Sequence, residues 1–383
     1  MLHSFFEGLT QGIFLLQETI AKKSLSATDF HVTVLTILIH IGLVFSIFFG
    51  VYFRGRKKAP GYVVGLLAGR LIFLFSFLIG NIYIFIGFVF LYYFSTSVIS
   101  PGINSVFKNE FKITNRGKLF SMLRAAMSLS AMLSSYIAGK YLDLTQNYRI
   151  VLIAAGIFGV LSFLMLIAVD NTADYSKMRA AGPAKPMPLD RDFLRFEACF
   201  MTYGFAFMIM LPAAPIYLID KMGFSFTQMG FVKGAMAQIF FIMFIPFAGA
   251  VFDRMSPWKV FRNSQILLSL FPLGFLLADT FFPHRTVIYA AFLFYGMGIS
   301  SMTVLWTLAS IYFAKGEDSS YYQSVHVAFT GVRGLLAPAL SYFLFRTFSF
   351  RVCFIMAAVL FLAAFAMAQY RILAGKRTFI ASQ

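Results

Sequence analysis

Long apolar segments joined by short polar connections constrain this chain more than any other feature of its sequence. Twelve such segments can be placed along the 383 residues, and a helix needs about 20 mostly apolar residues to cross a bilayer. They are too long for the strands of an outer-membrane barrel and lack their alternation. The sequence therefore predicts an all-α integral membrane protein with twelve transmembrane helices.

The predicted spans share a predominantly apolar composition and boundaries at polar residues, Gly or Pro. Those of the first half are Phe5–Ala21, His31–Phe53, Gly61–Gly80, Ile82–Val106, Gly117–Leu142 and Tyr148–Val169. Those of the second half are Phe193–Ile219, Phe226–Phe252, Val260–Ala278, Thr286–Phe313, Ser320–Phe345 and Phe350–Ile372.

The composition agrees with a lipid environment and excludes an ordinary soluble domain. The chain is 60% hydrophobic and 12% charged, whereas soluble domains carry about 25% charged residues. A net charge of +17 can indicate nucleic-acid binding, but most Lys and Arg lie in every second connection between spans. This is the positive-inside pattern. We therefore expect no nucleic-acid partner and a multi-pass protein of a bacterial inner membrane, with both termini cytoplasmic.

The chain is built from two similar halves on either side of a polar linker. Residues 170–192 are rich in charge and contain Pro183, Pro186 and Pro188. Phe90–Tyr93 in the first half resembles Phe292–Tyr295 in the second, 202 residues later. We expect a six-helix bundle at 1–169, a cytoplasmic linker at 170–192, and a second bundle with a short cytoplasmic tail at 193–383. The two bundles are expected to be related by pseudo-two-fold symmetry.

A short motif in the second half resembles the cytoplasmic loop motif of the major facilitator superfamily. Gly249 is followed four and five residues later by Asp253 and Arg254, which matches the Gly-x-x-x-Asp-Arg opening of that motif. The first-half copy begins at Gly50 but carries Arg54 where the family usually has aspartate. The resemblance covers nearly the whole chain. It implies the twelve-helix fold and transport by alternating access, with the first, fourth, seventh and tenth helices lining a central cavity.

The first span contains the candidate proton site. Glu7, Gln11 and Glu18 are separated by four and seven residues, which places them on one face of a continuous helix. An acidic side chain at membrane depth is costly and therefore a functional candidate. One of the two glutamates is expected to bind a coupling proton; residues at headgroup level are the alternative.

The eleventh span carries a second candidate constellation. His326, Thr330 and Arg333 recur at helical spacing, and Arg333 lies near the middle of its span. We expect Arg333 to bind an anionic group of the substrate or to pair with a first-helix glutamate; a permanent structural ion pair is the alternative. Arg124 in the fifth span corresponds to His326 in the repeat, and it either contacts substrate or extends to the headgroups.

Further candidates line the expected cavity or the cytoplasmic gate. The cavity aromatics are Tyr92, Tyr93, Tyr203 and Tyr295. By the resemblance, Asp253 should approach the start of the fifth helix, while Arg54 should face Glu317 and Asp318 at the start of the eleventh. The expected gate residues are Arg54, Gly249, Asp253, Arg254, Glu317 and Asp318.

These observations favour a secondary transporter of a small organic solute. We expect proton coupling, a monomer in the lipid bilayer, and no metal or cofactor. Abundant aromatics with few charges favour efflux of an amphipathic compound. The alternative is an organic-anion transporter that uses Arg333, Arg124 and His326. A membrane-embedded enzyme is the rival class, but only five histidines are present and they are scattered, as are the acids a metal site would need.

Overall fold

The computed structural model describes residues 1–52, 58–110, 116–172, 190–314 and 319–381, and within these ranges the protein contains helices and no strands. In the first half the α-helices are α1 (Leu2–Phe14), α2 (Gln17–Ser24), α3 (Asp29–Tyr52), α4 (Ala59–Gly69), α5 (Ile82–Glu110), α6 (Arg116–Thr145) and α7 (Tyr148–Thr172). In the second half they are α8 (Arg191–Ile216), α9 (Phe226–Gly230), α10 (Ala237–Arg254), α11 (Pro257–Thr280), α12 (Arg285–Ala314), α13 (Ser319–Thr347) and α14 (Phe350–Ala381).

Within the described ranges, each of the twelve predicted spans coincides with one helix or with consecutive helices. Four of these spans are composite: the first contains α1 and α2, a 3₁₀ helix at Leu71–Leu78 extends α4, and π-helical turns at Tyr217–Lys221 and Phe231–Met236 extend α8 and α9. Within the described ranges, eight helices are long and apolar enough to cross a membrane, and Asp29–Val44 and Ile82–Val98 are shorter apolar helices. The all-helical prediction is confirmed for the described part of the chain.

The helices pack into two compact units. Unit 1 contains Met1–Lys185 together with Leu218–Ala235, and unit 2 contains Pro186–Tyr217 together with Met236–Gln383. The domain boundaries at 169/170 and 192/193 stay a prediction.

In unit 1, α1 and α6 approach closely because the contact surface of α1 is made of glycine. A side chain at Gly8 would overlap the Met127 carbonyl and the Ser130 hydroxyl of α6. A side chain at Gly12, one turn later, would overlap the Ala131 carbonyl and the Ser134 hydroxyl on the next turn of α6. Small residues four apart allow this kind of packing in membranes, where dispersion rather than water exclusion holds helices together.

The segment Leu218–Ala235 joins unit 1 through α6. The Asp143 carboxylate accepts hydrogen bonds from the backbone N–H groups of Phe226 and Thr227, at 2.9 Å each. These are the unpaired donors at the start of α9, which Ser225 also caps. Burial acts against the Asp143 carboxylate, but these hydrogen bonds outweigh it and lower its pKa.

In unit 2, α8 lies in the core. Phe193, Phe196 and Phe200 are almost completely buried on one side of α8 and pack against aromatic rings of α11 and α12. Two prolines, Pro212 and Pro215, lie inside α8 just before its π-helical turn. Proline removes one backbone hydrogen bond of a helix, which accounts for the change in helical pitch at this end.

We predict that Gly8→Ala destabilises the protein, because the new methyl group overlaps both the Ser130 hydroxyl and the Met127 carbonyl, and the backbone of α6 therefore has to move. Overpacking of this kind costs about 1–3 kcal/mol. Gly87→Ala on α5 is the matched control, since a methyl group there meets no atom within 4 Å, and we expect no loss of stability. Thermal unfolding of the detergent-purified variants measures both; equal melting temperatures would contradict the α1–α6 contact.

Candidate functional site

The first predicted span is interrupted, and its two glutamates therefore lie on different helices. α1 ends at Phe14 and α2 begins at Gln17, so a turn separates Glu18 from the face that Glu7 and Gln11 share. The structure differs here from the single continuous face expected from spacing. Gln11 is half-buried on α1.

Glu7 is the centre of a buried polar cluster in unit 1. One carboxylate oxygen, Oε1, accepts a hydrogen bond from Arg70 Nη2 at 2.9 Å, and the other, Oε2, accepts one from Ser162 Oγ at 2.9 Å. Ser162 Oγ also lies 2.8 Å from His3 Nδ1. The Glu7 and Arg70 side chains are 4% and 1% exposed. We call Glu7, Arg70, Ser162 and His3 the Glu7 cluster.

Local structure places Arg70 in this cluster. α4 ends one residue earlier, and the chain continues as a 3₁₀ helix from Leu71. Gly159 on α7 leaves the space for the arginine, because a Cβ there would lie 2.7 Å from Arg70 Cδ. The guanidinium also donates to Thr96 Oγ1 and lies 4.1 Å from the centre of the Tyr92 ring.

Glu18 forms a separate ion pair in unit 1. Its Oε2 accepts a hydrogen bond from Lys233 Nζ at 2.7 Å. Gln17 donates to the other carboxylate oxygen at 3.4 Å and accepts from the Tyr93 hydroxyl at 3.0 Å. The two predicted proton-site candidates are therefore each bound to a cation.

Lys22 links the end of α2 to two acids. Its ammonium lies 2.6 Å from a carboxylate oxygen of Asp29 and 2.6 Å from one of Asp220. Burial acts against the charged form of this lysine, but the hydrogen bonds to Asp220 and Asp29 outweigh it and raise its pKa. Lys22 therefore remains a cation at neutral pH.

Unit 2 contains a second buried polar cluster, between α8 and α13. His326 Nδ1 lies 2.8 Å from Glu197 Oε1. Thr330, one turn along α13, donates its hydroxyl to the His326 carbonyl and accepts a hydrogen bond from Arg333 Nη2 at 3.0 Å. We call Glu197, His326, Thr330 and Arg333 the Arg333 cluster; each is at most 5% exposed.

Arg333 crosses from α13 to α8 and binds the backbone there. Its Nη1 donates to the Phe200 carbonyl at 2.6 Å. Its guanidinium carbon lies 5.1 Å from the centre of the Phe200 ring and 6.0 Å from that of Tyr203. Gly204 provides the space, since a Cβ there would overlap the arginine side chain.

The partners of Arg333 differ from those of Arg70, Lys233 and Lys22. Arg70, Lys233 and Lys22 each contact a carboxylate. The hydrogen-bond acceptors of Arg333 within the described residues are a carbonyl and a hydroxyl, both neutral. Buried atoms without a hydrogen-bond partner in the same part of the chain include Arg333 Nε, Glu197 Oε2 and His326 Nε2. The Arg333 cluster thus contains a hydrogen-bond donor, Arg333 Nε, and an acceptor, Glu197 Oε2, that have no partner among the described residues.

The four cavity-aromatic candidates are distributed over both units. In unit 1, Tyr92 stacks on Phe14, and Tyr93 binds Gln17. In unit 2, Tyr203 and Tyr295 each stack with the Phe207 ring, with centroid distances of 6.2 Å and 6.1 Å. The structure therefore brings Tyr203 close to Arg333 and leaves the tyrosines of α5 beside the Glu7 cluster.

The remaining candidates that the structure describes lie on α6 and α10. Arg124 is exposed on α6, and Asp253 and Arg254 are exposed at the end of α10, near Gly249. Arg54, Glu317 and Asp318 lie outside the described residues, as do the side chains at the start of α6. The cytoplasmic gate stays a prediction.

Sequence reasoning missed the partners that complete the two clusters. Glu197 was not among the predicted candidates, and the structure buries it against His326. Arg70 and Lys233 were not among them either, and each binds a first-span glutamate. A charged residue inside an apolar span indicates that a partner is needed. Sequence spacing does not identify that partner, because each of these pairs joins residues more than 60 positions apart.

Comparison with known proteins points to one family. The family model described as Major Facilitator Superfamily matches residues 1–322 and 198–378. No curated protein matches the sequence.

Several solved structures share the fold at low sequence identity. The nucleoside transporter NupG aligns with a TM-score of 0.73 at 13% identity, covering 96% of this chain and 98% of that one. A POT family transporter in complex with a thioalcohol-conjugated peptide aligns with a TM-score of 0.75 at 11% identity, covering 98% and 95%. The human organic anion transporter MFSD10 aligns with a TM-score of 0.68 at 12% identity, covering 96% and 97%. Together with the family match, these structures confirm the predicted fold class.

We predict that Arg70→Met destabilises the protein more than Arg333→Met. Removing Arg70 leaves the Glu7 carboxylate buried without its cation, which costs about 3–5 kcal/mol. Removing Arg333 leaves a carbonyl and a hydroxyl without their donor, while the Glu197 carboxylate keeps its contact with His326, and we expect a loss of about 1–3 kcal/mol. Thermal unfolding in detergent at one pH compares them. A larger loss for Arg333→Met would mean that Arg333 is a structural ion-pair residue after all.

Proposed function

Since the chain belongs to the major facilitator superfamily, we propose that it is a proton-coupled secondary transporter that carries a small organic anion by alternating access. Membership makes the protein a multi-pass integral membrane protein and a transporter of small molecules. Our proposal adds the substrate class and the coupling ion.

The charge pattern of the sequence supports the proposed setting. Both termini and the linker at 170–192 are cytoplasmic, in a bacterial inner membrane. The bundles at 1–169 and 193–383 are the bodies that move against each other, and the monomer is the transporting species.

Arg333 is the observation that carries the choice of substrate. A buried guanidinium requires a counter-charge in a low-dielectric environment, and the groups that bind Arg333 are neutral. Its Nε has no hydrogen-bond partner among the described residues, as is also true of Arg70 Nε, so the neutral acceptors are what distinguish Arg333. Arginine binds carboxylate and phosphate groups with paired hydrogen bonds. An anionic substrate group supplies a direct charged partner for Arg333, because the carboxylate of the cluster, Glu197, binds His326 instead.

Efflux of an uncharged amphipathic compound is the second candidate function. It is favoured by the aromatic rings near Arg333, where Phe207 stacks with both Tyr203 and Tyr295. Such rings bind flat apolar groups without requiring a charge. In the first candidate function Arg333 contacts the transported solute, and in the second it does not. Substitution of Arg333 distinguishes the two functions.

The Glu7 cluster supports proton coupling in unit 1. Glu7 is buried, and a short chain of hydrogen bonds leads from it through Ser162 to the half-buried His3. A proton that reaches Glu7 would cancel its charge and release Arg70. This couples protonation to a change in the contacts between α1 and the end of α4.

We predict that Arg333→Ala abolishes transport of organic anions, because the anionic group loses its counter-charge. Arg333→Lys should retain partial transport, since it keeps the charge but loses the planar fork. Counterflow in proteoliposomes with a panel of aromatic carboxylates, each paired with its neutral amide, measures the effect. Lys259→Ala, at an exposed position on α11, is the control for a general loss of positive charge.

Two results would reject the choice of an anion. One is counterflow of the neutral amides but not of the carboxylates in the wild-type protein. The other is unchanged carboxylate affinity in Arg333→Ala protein that is folded by thermal unfolding.

We predict that Glu7→Gln abolishes accumulation driven by a pH gradient while gradient-free exchange survives, because glutamine cannot cycle a proton. Glu7→Gln combined with Arg70→Gln removes the stranded arginine charge and should restore stability but not accumulation. Glu18→Gln tests the second candidate in the same assay. Full accumulation in both single variants would show that the coupling proton binds elsewhere.

A further inference from the structure

The Arg333 cluster carries no net charge when His326 is neutral. The Arg333 cation and the Glu197 anion cancel, although they do not contact each other. An anionic ligand that bound Arg333 in this state would leave one uncompensated negative charge among buried groups. Such a charge is strongly unfavourable unless another group neutralises it.

We propose that the Glu197–His326 pair takes up one proton together with the anion, so that the cluster binds a monoanion and a proton as a neutral unit. This inference rests on the proposed anion site at Arg333 and specifies how that site is linked to pH. It places a proton-binding element in unit 2, in addition to the one proposed at Glu7.

The geometry of the pair suits a proton acceptor. His326 Nδ1 lies 2.8 Å from Glu197 Oε1, while His326 Nε2 and Glu197 Oε2 have no partner among the described residues. Histidine is the side chain that changes charge near neutral pH. A carboxylate at hydrogen-bond distance stabilises the imidazolium, and the proton belongs to the pair rather than to either residue.

The pair is connected to the anion site by short contacts. Arg333 reaches Thr330, whose hydroxyl binds the His326 carbonyl. On the α8 side, Arg333 binds the carbonyl of Phe200, and the Phe200 ring lies 4.6 Å from the His326 ring. Glu197 and Phe200 are three residues apart, which is about 4.5 Å along a helix. At such separations in a buried site, the charge of one group affects the others strongly.

The other titratable groups around His326 do not supply the missing charge. α8 contributes Tyr203, which faces Arg333, and α12 contributes Trp306, which carries no charge. Arg371 on α14 binds Asp192, and Arg195 binds the same carboxylate, so these three charges are engaged with each other near the start of α8. Within the described residues, Glu197 is the acid in contact with His326.

A tryptophan already present in the cluster reports on the protonation of His326. The chain contains two tryptophans, and the Trp306 ring lies 5.8 Å from the His326 ring. In a Trp258→Phe background, Trp306 is the sole tryptophan. A protonated imidazole quenches indole fluorescence more than a neutral one, so titration from pH 9 to pH 5 should show a fall in intensity.

The experiment titrates this protein with benzoate as the monoanion and benzamide as the neutral control. Because the protonated cluster binds the anion more tightly, benzoate should move the fluorescence midpoint to higher pH. At ten times the dissociation constant, the shift is about one pH unit. Benzamide should produce no shift. His326→Gln should remove the transition, Glu197→Gln should move it to lower pH, and Glu7→Gln should leave it unchanged.

The outcomes separate the inference from the function on which it rests. Benzoate binding that Arg333→Ala abolishes, with a midpoint that benzoate does not move, overturns the linked proton and leaves the anion site intact. The absence of a transition between pH 9 and pH 5 also overturns the linked proton. Benzoate that binds at no pH counts against the anion site itself. Should His326→Gln not fold, the benzoate shift in the parent protein and the Glu197→Gln titration decide.

Discussion

The ion pair between Glu7 and Arg70 shows the constraint on which the rest of the structure depends: a charge buried at membrane depth needs a partner, and the partner must come from another helix. Glu7 lies on α1, Arg70 at the end of α4, and Ser162 on α7. Satisfying one carboxylate therefore fixes the relative positions of three helices of unit 1. Glycines at the closest approaches make this arrangement sterically possible, as Gly159 does for the Arg70 side chain. Packing and charge neutralisation act on the same helices and favour the same arrangement.

The same constraint is met differently in unit 2. There the Arg333 guanidinium is stacked on aromatic rings and bound to a carbonyl and a hydroxyl, while the nearby carboxylate of Glu197 binds His326. In the Glu7 cluster, the buried carboxylate and the buried guanidinium bind each other directly. In the Arg333 cluster, the guanidinium has only neutral hydrogen-bond acceptors among the described residues, which suits it to binding an anion from outside. This difference in pairing, and not the presence of charge, distinguishes the two clusters chemically.

The sequence predicted much of the fold but fewer of the contacts in the candidate sites. The helices begin and end near the predicted spans because segment length and apolar composition are local properties. The turn between α1 and α2 was missed, since the apolar run continues through Leu15 and Leu16 without a glycine or proline.

Arg333, His326 and Glu7 were predicted as candidates because ionisable groups are rare in apolar spans. Their partners were not, because Glu7 and Arg70 are 63 residues apart and Glu197 and His326 are 129 apart. Contacts over such separations depend on helix rotation and packing.

By itself, the sequence determined that the chain is a bundle of membrane helices built from two similar halves, because apolar length and internal repetition are written directly in the order of residues. It also determined which positions carry unusual charge. The tertiary structure decided which of those charges neutralise each other and which do not. The physical reason is that pairing energies at membrane depth depend on distances of a few ångströms between side chains of different helices. Only the packed arrangement sets those distances, and here it pairs Glu7 with Arg70 while leaving Arg333 to neutral acceptors.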